Sequence, residues 1–286
     1  MTLRVLKPFD PWKSPLCTCP LKYSLNPYTG CTHACFYCYI TSYIPDGFRG
    51  REKKNFLRKL KLDLEEANRS IPVSISNSTD PYQPIEKEIK QTREVLKLLK
   101  EKGFRAIIVT KSDLILRDID ILKEMKVTVS FTIITIDKGL SQKIEPLASP
   151  PLRRIEAMKR LKAEGIPVSL RLDPIIPYLN DNENEWERLI DSVSPYIEQV
   201  IASTFKLKPD SWRRFKIKFR EEWQKAKNLY LEKLGTTLYI KKSLRREWME
   251  KIKDISVRRG LGFSCCREGF PDLNTTSCDG TKLIPP

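Results

Sequence analysis

The chain of 286 residues carries 52 Lys+Arg against 36 Asp+Glu, a formal charge of +16 at pH 7, and is long enough for one barrel-sized domain with its own core. That balance predicts a polyanionic partner, most simply DNA or RNA, against the alternative of a solvated Lys- and Glu-rich surface. No apolar run can span a bilayer and no signal-peptide core opens the chain, which argues against a membrane role and for a cytoplasmic protein; eight cysteines then predict metal ligation rather than disulfides.

From the N-terminus, residues 1–22 read as an extension bearing Cys17 and Cys19. A first strand is predicted near Lys22. The loop after it places Cys31, Cys35 and Cys38 at i, i+4 and i+7, with Tyr37 just before the last. Three cysteinates this close can hold three corners of a 4Fe–4S cluster and leave the fourth iron free for a small molecule. A structural zinc site using the same thiols is the alternative. His33, inside this loop, is expected to be a hydrogen-bonding partner rather than a ligand.

The middle of the chain, within a core read as 23–204, alternates strand and helix. Apolar, β-branched runs predict strands at 72–76, 106–110, 127–135, 168–172 and 200–203. Helices are predicted at 85–102, 118–125, 151–164 and 185–192, with Gly103 and Gly165 as stops. Repeated β–α units of this length indicate an α/β fold with a parallel sheet under helices. Chemistry in such sheets gathers at the C-terminal strand ends, and Cys31, Asn77, Lys111 and Asp173 each follow an apolar run.

Residues 205–286 read as a basic helical extension. A long helix is predicted at 211–234, with Trp212, Phe215, Phe219 and Trp223 spaced for one face and Arg213, Arg214, Lys216, Lys218 and Arg220 between them. A core-facing aromatic stripe with a solvated basic face is the first reading; a basic face tracking a phosphate backbone is the second. A further helix at 244–255 leads to a turn-rich tail holding Cys265, Cys266 and Cys278. Loops of this kind have no core of their own and gain order from a metal; free or redox-active thiols are the alternative.

The run Asn26-Pro27-Tyr28-Thr29-Gly30-Cys31, with Tyr37 and Tyr39 flanking Cys38, resembles radical S-adenosylmethionine (radical SAM) proteins of the spore photoproduct lyase type, and the resemblance extends over roughly residues 23–180. It implies a partial (β/α)6 TIM barrel with cysteine-containing extensions at both ends. It also implies a 4Fe–4S cluster on Cys31, Cys35 and Cys38 whose open iron chelates SAM, reductive cleavage to a 5′-deoxyadenosyl radical, and an external electron donor such as ferredoxin or flavodoxin. By the same resemblance Tyr37 lies beside the SAM adenine, and Ser76, Asn77, Ser78 and Asp80 belong to the segment lining the methionine pocket. Lys111 reaches the SAM carboxylate, a task suited to a flexible cation, and Thr132 places a hydroxyl near SAM.

One departure stands out. In spore photoproduct lyase a cysteine of the second-strand segment donates a hydrogen atom to the substrate radical; here that position is Asn77, and no cysteine lies between Cys38 and Cys265. Tyr39 is the candidate substitute donor. Because many radical SAM enzymes carry an auxiliary cluster, Cys17 and Cys19 are expected to join Cys266 or Cys265, and Cys278, around a second iron–sulfur cluster or zinc. Three functions follow: a radical SAM enzyme repairing or modifying nucleic acid, one acting on a peptide, protein or metabolite, and a non-catalytic metal-containing nucleic-acid-binding protein.

Overall fold

The computed structural model describes residues 3–9 and 14–285; residues 1, 2 and 10–13 of the N-terminal extension, and residue 286, lie outside the described residues. In chain order the strands are β1 (Lys7–Pro8), β2 (Tyr23–Leu25), β3 (Tyr28–Thr29), β4 (Arg51–Glu52), β5 (Val73–Ile75), β6 (Ala106–Thr110), β7 (Val127–Thr132), β8 (Val168–Ile175), β9 (Gln199–Thr204), β10 (Tyr230–Leu234), β11 (Thr237–Ile240) and β12 (Gly262–Cys265). The helices are α1 (Phe56–Glu66), α2 (Glu86–Ile89), α3 (Gln91–Glu101), α4 (Ile119–Leu122), α5 (Lys138–Ile144), α6 (Pro151–Ala163), α7 (Glu183–Val193), α8 (Pro209–Lys218), α9 (Arg220–Ala226) and α10 (Lys242–Val257).

Eight strands form one sheet in the order β1-β2-β5-β6-β7-β8-β9-β12. Neighbours are parallel throughout except for the β1–β2 pair. Among the described residues β1 and β12 are not hydrogen-bonded to each other, so the α/β barrel is partial, with a seam between its two edge strands. β7 and β9 are buried along their whole length, as parallel strands covered on both faces require. The interior near the strand starts is polar: Ser169 Oγ donates to Ser130 Oγ at 2.8 Å, and Gln199 Nε2 donates to Ser264 Oγ at 2.8 Å.

Three predicted helices take other forms. The helix expected over 85–102 divides at Lys90, whose left-handed backbone (φ 55°) ends α2 and starts α3. Of the 118–125 prediction only the short α4 is α-helical; a 3₁₀ turn (Asp113–Asp118) leads into it and a turn follows it. The long helix expected over 211–234 breaks at Phe219 and stops at Ala226. Tyr230–Leu234 and Thr237–Ile240 instead form a hairpin whose turn uses Gly235 at φ 58°, because β-branched and aromatic residues flank a residue free to adopt positive φ. Beyond residue 204, β12 extends the barrel's parallel array by pairing with β9.

Candidate active site

The cluster loop is shaped before any ligand is considered. Antiparallel β3 and β4 clasp its two ends. Gly30 turns it at φ 72°, where an added Cβ would meet the Arg49 carbonyl oxygen at 2.2 Å, so only glycine fits. The Cys31 amide donates to Gly47 O at 2.8 Å and the Cys38 amide to Cys35 O at 3.0 Å. Cys31 and Cys35 are buried and Cys38 is half-buried. Burial pushes all three thiols above their usual range, so they become thiolates by binding metal. Among the described residues no three Cys, His, Asp or Glu side chains surround one point as ligands of a single ion do.

Phe36 anchors the loop in the core. Its ring lies 5.6 Å from Phe215 and 4.8 Å from Phe219, so Phe215, Phe219 and Trp223 pack inward, as the first of the two readings has it, while Trp212 is exposed. The basic face has a local task. Arg214 donates to Phe36 O at 2.8 Å, Cys38 O at 2.5 Å and Thr41 Oγ1 at 2.9 Å, while pairing with Asp210 at 2.9 Å. One guanidinium thereby fixes the carbonyls on either side of Tyr37, a role invisible to helical periodicity.

Around the thiols the strand ends converge on one cavity of about 410 Å³, within the range that small-molecule sites occupy, about 300–1,000 Å³. Its lining includes Cys31, Cys35, Cys38, Tyr37, Tyr39, Ser76, Asn77, Ser78, Asp80, Lys111, Thr132 and Asp173. The residues singled out in the loop and at the strand ends thus meet.

Their partners differ. Asp80 accepts from Thr110 Oγ1, the Lys111 amide and the Tyr82 amide at 2.8, 2.8 and 2.9 Å, and faces His33 Nδ1 at 3.4 Å. Burial opposes its charge, but His33, Lys111 and the Tyr82 amide outweigh it and hold the carboxyl at about 2. His33 Nδ1 is buried at that distance without a hydrogen bond, so the hydrogen-bonding role expected of it is not met at this atom. Lys111 stays charged against burial because Cys35, Glu145 and Asp80 surround it, and its ammonium lies 5.6 Å from the Tyr37 ring centre. The Tyr37 hydroxyl donates to Glu145, which pairs with Arg154 at 2.6 Å. Arg154 in turn donates to Thr132 O at 2.8 Å. Glu145 and Arg154 orient Tyr37, and neither carries a sequence signal.

Ser76 sits in the left-handed region (φ 73°), and its Oγ is buried with no hydrogen-bond partner in the protein. An orphaned hydroxyl facing a cavity beside three thiols fits a polar ligand seated there. Ser78 Oγ instead meets the Tyr43 hydroxyl at 3.1 Å. The Asn77 amide turns to Ser24 Oγ at 2.8 Å and Ser74 O at 3.1 Å, and its carbonyl accepts from the Tyr39 hydroxyl. These residues fit a 4Fe–4S cluster with a small molecule on its open iron; bound there, the cluster supplies the electron that cleaves the C–S bond of SAM.

Of the second cysteine set, Cys19, Cys266 and Cys278 line the same cavity. Cys265 does not: its side chain is part of the hydrophobic core, and burial pushes its thiol to about 12. Adjacent residues of an extended segment face opposite ways, so only Cys266 of the pair turns inward.

Comparison with known proteins agrees. The sequence model of the radical SAM superfamily matches residues 25–193. An uncharacterized protein of Methanocaldococcus jannaschii is 31% identical over 90% of this chain and 95% of its own length. A radical SAM Nalpha-GlyT isomerase of Pseudomonas phage M6 is 24% identical over 85% of this chain and 53% of its own. Among solved structures, spore photoproduct lyase complexed with dinucleoside spore photoproduct superposes with a TM-score of 0.71 at 14% identity, covering 92% of this chain and 80% of that one. Streptococcus suis SuiB bound to its precursor peptide SuiA gives 0.59 at 17%, covering 90% and 52%. No helix among the described residues is long and apolar enough to cross a membrane. The chain belongs to the radical SAM superfamily, as an enzyme whose cofactors are a 4Fe–4S cluster and S-adenosylmethionine.

Proposed function

We propose that this enzyme directs its radical at a nucleic-acid base, in repair or modification, in the cytoplasm and with an external one-electron donor such as ferredoxin or flavodoxin. The observation that carries the reading is a pair of cations in the cavity lining. Lys208 and Arg267 line the cavity together, and burial and then Arg267 lower the Lys208 pKa. Two cations crowded at one wall favour an anionic substrate group such as a phosphate. The chain's net charge of +16 points the same way. So does the likeness to a lyase complexed with dinucleoside spore photoproduct.

In this reading Cys31, Cys35 and Cys38 hold the cluster, Tyr37, Ser76, Asp80, Lys111 and Thr132 shape the SAM pocket, and Tyr39 returns the hydrogen atom. Asn77 replaces the donor thiol of the lyase, so the reaction need not be photoproduct reversal. The test follows 5′-deoxyadenosine and base products together, using anaerobically reconstituted enzyme, a reductant, SAM and DNA carrying the spore photoproduct, then RNA. Affinity for either nucleic acid should fall steeply with salt. No affinity at low salt would remove the reading and favour a peptide substrate, to which the likeness to peptide-bound SuiB lends support.

A further inference from the structure

The barrel seam lies between β1 and β12, and four cysteines meet across it. Cys17 and Cys19 precede β2, Cys266 follows β12, and Cys278 comes from the C-terminal tail. Cys19 Sγ is 3.8 Å from Cys278 Sγ. Cys17 is within hydrogen-bonding reach of Cys19, and Cys266 of Cys278. The sulfurs therefore run as a chain, Cys17–Cys19–Cys278–Cys266, drawn from both edges of the sheet.

Thiols are weak hydrogen-bonding groups, and four of them gathered at one buried seam gain little from one another. A backbone amide or a cation stands beside three of them. The Cys19 amide points at the Cys17 sulfur, Lys22 lies against Cys19, and Arg171 is close to Cys266. Lys22 is itself buried and fixed by Asp279, the residue after Cys278. The tail is already seated: Gln199 Nε2 donates to Ser277 O at 2.7 Å and Ser264 Oγ to Cys278 O at 3.1 Å. The contact of 3.8 Å is far longer than a disulfide, about 2.05 Å. It matches the separation of two sulfurs each about 2.3 Å from one tetrahedral ion.

We infer that Cys17, Cys19, Cys266 and Cys278 form a second, four-thiolate metal centre that staples the C-terminal tail across the open seam. Four thiols lose their protons and bind a soft metal, either a single zinc or iron ion or an iron–sulfur cluster, as shared sulfur chemistry allows. As described, the sulfurs form an open chain and no three of them surround one point. Binding one metal requires the end members Cys17 and Cys266 to turn toward the Cys19–Cys278 pair. With four protein ligands the centre has no open position, which makes it structural rather than catalytic. Cys265, held in the core, takes no part.

The test removes the first site and counts metal at the second. The full-length Cys31→Ser/Cys35→Ser/Cys38→Ser variant is loaded anaerobically with zinc, or with iron and sulfide, then desalted. Bound metal supports the inference: one ion per chain without sulfide identifies a mononuclear site, and iron with matching sulfide a cluster. Adding Cys19→Ser and Cys278→Ser should abolish that metal. Should that variant misfold, stripping the triple variant with a chelator should expose four reactive thiols that metal re-addition protects. No bound metal, or a Cys19–Cys278 disulfide in the reduced protein's mass, would overturn it.

Discussion

The Tyr39 hydroxyl donates to the main-chain carbonyl of Asn77, joining the residue after Cys38 to the segment that follows β5. The Tyr39 ring also stacks on Tyr43, with centres 6.2 Å apart. The phenol is thus held at the cavity wall, and to return a hydrogen atom its O–H turns from that carbonyl toward the substrate. Tyr39→Phe should keep its cluster and still form 5′-deoxyadenosine, but lose product by about tenfold or more, roughly 1.4 kcal/mol in barrier. Full product turnover in this variant would rule Tyr39 out as donor.

Asn77 itself is a scaffold. Its amide bonds to Ser24 and Ser74 tie β2 to the end of β5, and Asn26 Oδ1 caps the amides of Asn77 and Ser78 at 2.9 and 2.8 Å. Asn77→Ala should therefore cost about 1–3 kcal/mol of stability by leaving hydroxyls unpaired, read as a lower denaturant midpoint. A variant as stable as the parent would show that these bonds contribute nothing.

How much was legible beforehand follows from how local each signal is. The cysteine spacing and the apolar runs of β5, β6, β7, β8 and β9 are local patterns, and those residues form the loop and strands expected of them. The aromatic stripe at 212–223 has helical spacing, and the structure buries Phe215, Phe219 and Trp223 but not Trp212 and shortens the helix, because the hairpin after Ala226 depends on pairing with a later segment. β12 is four residues long and begins at a glycine, too little pattern to announce a strand. Arg214 acts through partners 173 to 178 residues away, Glu145 through one 108 away and Arg154 through one 22 away, and such contacts exist only once the chain is folded.

Arg214 yields the next expectation. Its guanidinium ties α8 to the carbonyls of Phe36 and Cys38, so Arg214→Ala should loosen the cluster loop without unfolding the barrel. Charge-bearing hydrogen bonds contribute about 1.5–3 kcal/mol each. The variant should show native far-UV circular dichroism with less iron per chain after reconstitution. Lysine cannot reproduce the planar fork, so Arg214→Lys should restore little. Unchanged iron content in both would assign Arg214 to surface charge alone.

Ser76 gives the opposite signature. Its buried hydroxyl has no protein partner to lose, so Ser76→Ala should leave thermal stability unchanged. If the hydroxyl meets SAM, the variant binds it more weakly by about 1 kcal/mol, roughly fivefold in Kd. Calorimetry on reconstituted enzyme reads this directly, and equal affinity would place SAM elsewhere in the cavity.

Asp80 sets the acid limit of the site. Its carboxyl is held at about 2 in the folded protein, below the ordinary 3.8, with His33 and Lys111 overcoming burial. Because the folded value is depressed, the stability it contributes is fully present above about 3.8 and is lost as pH falls from there toward about 2. Asp80→Asn cannot titrate, so its stability should be lower at neutral pH and flatter through that acid window. Paired denaturant titrations of parent and variant measure the difference, which should shrink as acid is added. A gap of constant size down to the acid end would show that Asp80 acts through packing, without its charge.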